Sequence, residues 1–169
     1  MIVLGIDPGL ATTGYGVIKS LNRKLEVINF GCILTKSGLP LSTRLLTIYQ
    51  QIKQLILTYK PDIVVIEELF FCKNVKTALQ VGHARGVIML AAVEANCEVM
   101  EYTPLQVKQA LTGFGRADKK QIQQMVKIIL NLKVIPKSDD AADALAIAIC
   151  YIHCHASLSS KLNHNYCKV

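Results

Sequence analysis

The chain has no apolar run long enough to cross a bilayer. Its longest uncharged apolar stretch, Ala144 to Ile152, falls far below the ~18 residues a membrane helix needs. No leader is expected either, because only Met1–Ile6 precede Asp7, too few for the apolar part of a signal peptide. There is no C-x-x-C pair. The six cysteines (32, 72, 97, 150, 154 and 167) are scattered, which argues against a disulfide framework and for a reducing, cytoplasmic setting. No segment is low in complexity and no internal repeat is visible, so neither a disordered chain nor a repeat array is expected. Acids are scarce, with 12 Asp+Glu against 19 Lys+Arg and a net charge of +7.

What is present is a chain of 169 residues, 51% apolar, enough to bury one core and too short for two sizeable ones. Residues 1–156 are expected to form a single domain, with 157–169 as a flexible C-terminal tail. A positive surface suits a polyanionic partner. The distribution of charge says more than its sum. Between Pro104 and Lys137 stand seven basic residues (Lys108, Arg116, Lys119, Lys120, Lys127, Lys133, Lys137) and one acid, Asp118. Six of the 12 acids fall in three tight places: Asp7, Glu67–Glu68, and Asp139, Asp140 and Asp143. Isolated carboxylates in a basic chain are what a metal-dependent enzyme acting on phosphates needs.

Hydrophobic patterning predicts the order β-β-β-α-β-α-β-α-α-α. Ile2–Ile6 is a short buried-strand run, broken by Pro8-Gly9, and Gly14–Lys19 and Leu25–Leu34 follow as an antiparallel meander. Ser42 is placed as the N-cap of a helix that Pro61 stops. Asp62–Ile66 reads as a strand ending on Glu67, and a helix follows from about Val75 to Asn96. On it Gly82 and Gly86 lie four apart on one face, allowing another element to approach closely. Glu98–Tyr102 is a strand, and Thr103-Pro104 opens a helix. Asp118 with Gln121 suggests a capping box, and a last helix starts near Ser138–Asp139. Such an order implies an α/β fold with a mixed five-stranded sheet, an antiparallel meander plus parallel strands, flanked by helices.

Asp7 and Glu67 come at the ends of the first and fourth strands, where α/β sheets build their sites. Asp140 and Asp143, spaced i, i+3, share one face in the first turn of the last helix. Four acids brought together raise one another's pKa unless cations neutralise them, and oxygen donors suit Mg²⁺. Two such ions about 4 Å apart could activate water and stabilise a leaving oxygen. Each acid also has a plainer reading, as a turn residue, a helix-start acid or a solvated strand end, and spacing alone leaves both open.

At this point a family resemblance becomes visible. Gly5-Ile6-Asp7-Pro8-Gly9 with Thr13–Ile18, Ile66-Glu67-Glu68-Leu69-Phe70, Lys73-Asn74, Ala84–Val87, Gln106–Gln109 and Asp140–Ala146 resemble, in order, the motifs of the RuvC family of bacterial Holliday-junction endonucleases. The resemblance covers about residues 2 to 149. It implies a ribonuclease-H-like fold, a homodimer, paired symmetric nicks across four-way junction DNA, and a branch-migration motor as partner. It implies Asp7, Glu67, Asp140 and Asp143 as the catalytic and metal-binding set for Mg²⁺, two ions per site, with Mn²⁺ as a substitute. Glu68 is left out because its side chain should point to the other sheet face. Phe70 matches an aromatic that contacts bases, and Lys108 and Lys119 match basic positions near the scissile phosphates. From the residues alone, Phe70 reads equally as a core or interface phenylalanine, and the lysines as solvated helix residues.

Cys150, His153, Cys154 and His155, with His164 and Cys167 beyond, lie outside these motifs. A zinc site there is geometrically conceivable, and an idle helix end is the plainer reading. Two other functions compete with the nuclease. An actin-like or sugar-kinase-type ATP-binding phosphotransferase would share the Asp7-Pro8-Gly9 start, but needs a second Gly-rich loop that the chain lacks after Glu67 and after Tyr102. A catalytically inactive junction-binding module would need the basic residues and not all four acids.

Overall fold

The computed structural model describes residues 1–22, 24–68 and 75–165, with side chains described over 1–22, 24–68 and 77–155. The elements are β1 (Ile2–Asp7), β2 (Thr12–Leu21), β3 (Lys24–Leu34), α1 (Leu41–Tyr59), β4 (Ile63–Glu67), α2 (Val75–Glu94), β5 (Glu98–Tyr102), α3 (Pro104–Thr112), α4 (Lys119–Ile129) and α5 (Asp139–Asn165). The sheet runs β3-β2-β1-β4-β5, with β1, β2 and β3 antiparallel and β4 and β5 parallel to β1. This is the mixed five-stranded sheet expected. Among the described residues, no helix is long and apolar enough to cross a membrane.

Alternation along the strands sends side chains to two separate cores. Leu4, Ile6, Val64 and Ile66 pack with Ile48, Ile52 and Ile56 of α1 and with Ala84 and Ile88 of α2. Val3, Ile63 and Val65 pack instead with α3, α4 and the long apolar face of α5, where Leu145, Ile147 and Ile149 are fully buried. Buried on both faces, β1 and β4 read as continuous apolar runs rather than alternating ones. Val17 and Ile18 reach cores on opposite faces by the same alternation, and a bulge opposite them gives the edge strand β3 one extra residue.

The helix starts follow local chemistry, with one correction. Thr103 caps α3 and Asp118 caps α4, each closing a capping box with the glutamine three residues on. Ser42 is not the cap of α1. The helix begins one residue earlier, at Leu41, and Pro40 occupies the cap without a side-chain hydrogen bond. Proline's fixed φ and missing N–H cost nothing at that position, and the Arg44 amide donates to the Pro40 carbonyl to start the ladder. At the other end the backbone of α5 stays helical to Asn165, past residue 157, where the sequence suggests a tail.

Among the described residues, nothing lies within 4 Å of a Cβ added at Gly86 of α2. The same helix face carries Leu79, Leu90 and Val93, all exposed.

Candidate active site

Asp7 and Glu67 are the last residues of their strands rather than the first residues beyond them. Strands β1 and β4 are parallel and in register, Gly5 with Val65 and Ile6 with Ile66, so the two acids fall on the next rung. They share a face with Val3 and Val65, which is the face that α5 covers. Glu68 is exposed, and its amide still donates to the Tyr102 carbonyl, at 2.9 Å.

The seat of α5 is built from glycines. A Cβ at Gly5 would overlap the Ala144 carbonyl oxygen, and one at Gly16 would press on Leu145. A Cβ at Gly14 would overlap the carbonyl of Asp140 itself, and Gly14 pairs directly with Asp7 across β1 and β2. With no side chains between, helix backbone rests on sheet backbone, and the start of α5 is set beside the end of β1. Asp140 is therefore brought near enough to Asp7 for its charge to act there, and Asp143, one turn on, lines with Glu67 a cavity of about 210 Å³. Lys108 of α3 and Lys119 of α4 line the same cavity. The turn after Asp7 is pinned as well: buried Thr13 donates to the Gly9 carbonyl at 2.7 Å, and the Thr35 hydroxyl, which accepts from Arg44 at 2.8 Å, donates to the Leu10 carbonyl.

Electrostatics report the convergence directly. Burial pushes the Asp7 carboxyl up to about 8, and the charges of Glu67, Asp143 and Asp140 push the same way against the pull of Lys119. Burial also raises Glu67, helped by Asp143 and opposed by Lys108 and Lys119. Asp143 is raised by burial in spite of its ion pair with Lys119, whose ammonium lies 3.1 Å from Asp143 Oδ2 and 3.3 Å from Asp139 Oδ2. For Lys119 burial pulls the other way, yet its two acid partners together lift it above the usual lysine value. The cluster as it stands is short of positive charge, which is the condition under which a bound cation gains most.

All four predicted acids and both predicted lysines are thus brought together. Phe70 lies outside the described residues, as do Lys73 and Asn74 of the same segment. Three features were not foreseen. Asp139 pairs with Lys119 and accepts from Gln123 at 2.7 Å. The Ser138 hydroxyl lies 2.9 Å from the Cys32 thiol and donates to Asp140 Oδ2 at 3.3 Å. The glycine seat itself was signalled by the small residues of β1 and β2 facing Ala141, Ala144 and Ala148, a match that only a known packing partner reveals.

Among the described residues, no three histidine, cysteine, aspartate or glutamate side chains stand close enough to hold one metal ion. In the acid cluster, Lys119 holds Asp143 in an ion pair. At the other end of α5 the thiol–imidazole group is otherwise engaged. Burial, then Cys154, pushes the Cys150 thiol up to about 12, His153 Nδ1 lies 3.3 Å from the Ala110 carbonyl, and His155 stacks on Tyr151. His164 has no described side chain, and Cys167 lies outside the described residues.

Known proteins resemble the chain over nearly its whole length. Residues 3–151 fit the family model of the crossover junction endodeoxyribonuclease RuvC. The RuvC endonuclease of Alkaliphilus oremlandii is 59% identical over 153 residues, 90% of this chain and 93% of that one. The Thermus thermophilus RuvC structure superposes with a TM-score of 0.87 at 36% identity, covering 94% of this chain and 97% of that one. A T. thermophilus RuvC in complex with Holliday junction substrate gives 0.86 at 34% identity, covering 93% and 96%. A family model that fits residues 3–151 and a relative 59% identical over 90% of the chain show that the chain belongs to the RuvC family of crossover junction endodeoxyribonucleases.

Proposed function

We propose that the protein is a Mg²⁺-dependent endodeoxyribonuclease that resolves four-way (Holliday) junctions by paired, symmetric nicks, in DNA recombination and repair. The observation that carries this reading is the Asp7 carboxyl, pushed up to about 8 in the company of Glu67, Asp140 and Asp143, with two lysines at the rim. Carboxylate oxygens alone form the donor set, which fits hard divalent ions and leaves room for phosphate oxygens. Asp7, Glu67, Asp140 and Asp143 would hold two Mg²⁺, with Mn²⁺ as a substitute; the bound ions supply charge for the phosphate and an acidified water.

The chain's own residues do the rest. Backbone packing of α5 on β1 and β2 fixes the acids before substrate arrives. Lys108 and Lys119 contact phosphate oxygens and set the strand in the cleft without reading its sequence. Phe70, three residues beyond the end of β4, stacks on unpaired bases near the junction centre. A second copy of the chain covers the outward face of α2, where Leu79, Leu90 and Val93 flank the open Gly86. Two clefts related by a two-fold axis then meet two strands of like polarity. The resemblance adds a branch-migration motor as working partner. The described free cysteines fit a reducing cytoplasm.

The ATP-dependent alternative is not favoured, because the relatives that match over the whole length are endonucleases. The test is incubation of the full chain with a synthetic four-way junction, a linear duplex and a single strand, each with and without Mg²⁺. Symmetric nicks in the junction alone, and only with the metal, are expected. An intact junction in both Mg²⁺ and Mn²⁺, or equal cutting of the linear duplex, overturns the proposal.

A further inference from the structure

Lys119 opens α4 and has two claimants. Its ammonium lies 3.1 Å from Asp143 Oδ2 and 3.3 Å from Asp139 Oδ2. The two acids differ in setting. Asp143 lines the cavity with Glu67, whereas Asp139 is exposed and stands outside the four-acid set. Asp139 is nevertheless held in place, because its second oxygen accepts from Gln123 Nε2 at 2.7 Å. Gln123 stands four residues after Lys119, on the same face of α4. Asp139 thus ties the first turns of α4 and α5 together through one carboxylate.

That arrangement resolves a conflict in the site. Asp143 cannot give its charge both to a lysine and to a divalent ion. A cation arriving at Asp143 would also repel the ammonium, and a freed lysine side chain disperses over many rotamers. We infer that Asp139 is a positioning residue for Lys119, keeping the ammonium at the rim of the cleft when Asp143 turns to the metal. Exposed ion pairs add little to stability, so what Asp139 fixes is a location and not the fold. The inference rests on the reading of Lys119 as a phosphate contact.

Asp139→Asn isolates the charge, since asparagine still accepts from Gln123. With the full chain, single-turnover junction cleavage is measured for Asp139→Asn, Asp139→Glu, Lys119→Met and Asp139→Asn combined with Lys119→Met. Asp139→Asn should slow cleavage about tenfold, Asp139→Glu should stay within about twofold of the parent, and in the Lys119→Met background Asp139→Asn should add less than about twofold. A second readout needs no turnover: the ¹⁵N-detected ammonium signal of Lys119, without metal and with Mg²⁺. It should persist on adding Mg²⁺ to the parent and vanish in Asp139→Asn. Parent-like cleavage by Asp139→Asn, an equal slowing in the Lys119→Met background, loss of the parent's ammonium signal on adding Mg²⁺, or its survival with Mg²⁺ in Asp139→Asn overturns the inference. If Lys119→Met alone cleaves normally, the phosphate role of Lys119 fails, and the ammonium signal still decides whether Asp139 holds it.

Discussion

On the α1–α2 side of the sheet, contact is made by large side chains, Leu4, Ile6, Val64 and Ile66 against Ile48, Ile52, Ile56 and Ile88. On the α5 side, over β1 and β2, it is made by backbone, with Gly5, Gly14 and Gly16 lying directly under the helix. An aliphatic layer holds its helices by volume and can relax by tenths of an ångström when a side chain changes. A glycine floor has no such slack. The acids of α5 inherit the position of its backbone, and that position is fixed against the strand that ends in Asp7. Both faces carry an aliphatic core, and the α5 face adds a backbone seat that places the acids.

Three substitutions probe that division, ordered by expected effect on cleavage. Asp7→Asn should lower junction cleavage on the order of 10³-fold or more while junction binding persists. It should also stabilise the metal-free protein. The folded pKa of Asp7, about 8, lies above its ordinary 3.8, so the folded state holds the extra proton between those values. Stability is then lost as pH rises through that window, and the full penalty is present above it. Thermal melts with chelator should show the variant above the parent at pH 8 and level with it near pH 4. A variant less stable at pH 8 would contradict the crowding of carboxylates described for the site.

Gly14→Ala comes next. Its methyl group meets the Asp140 carbonyl, so the start of α5 must move. Overpacking of this kind costs about 1–3 kcal/mol. The displacement of Asp140 and Asp143 should cost cleavage about 10²-fold, more than the stability change explains. Urea denaturation and single-turnover assays measure the two separately. Ile52→Ala is the counterpart on the other face. The cavity costs about 2–5 kcal/mol, yet below the melting transition cleavage should stay within about threefold of the parent. If Ile52→Ala lost as much activity per unit of stability as Gly14→Ala, the two faces would not differ in the way proposed.

The elements were legible because their signals are local. Apolar runs bounded by Pro8-Gly9 and Pro61 mark strands and a helix end, and Thr103-Pro104 and Asp118 with Gln121 mark helix starts. The four acids were legible as a set because each sits at the end of an element. The reading of Ser42 as a cap failed because the helix starts at Leu41, with Pro40 in the cap position and no side-chain hydrogen bond to signal it. Asp139, Gln123, Ser138 and Cys32 escaped because their contacts join α4 to α5 and β3 to α5, and no local period encodes how those elements meet. Lys119 looked like any solvated helix lysine until two acids were found at 3.1 and 3.3 Å. The glycines of β1 and β2 carry no local signal of a partner; in the fold they are the floor on which α5 rests.

Side chains alternate along a strand, so the gain or loss of one residue between Val3 and Ile6 would turn Asp7 away from α5 and into the aliphatic layer opposite. The same holds for Glu67 and the stretch from Ile63 to Val65. Descendants of this gene can therefore exchange one aliphatic residue for another in these two strands but cannot change the strands' length. The connection at 35–40, bound by no such parity, is where insertions can accumulate.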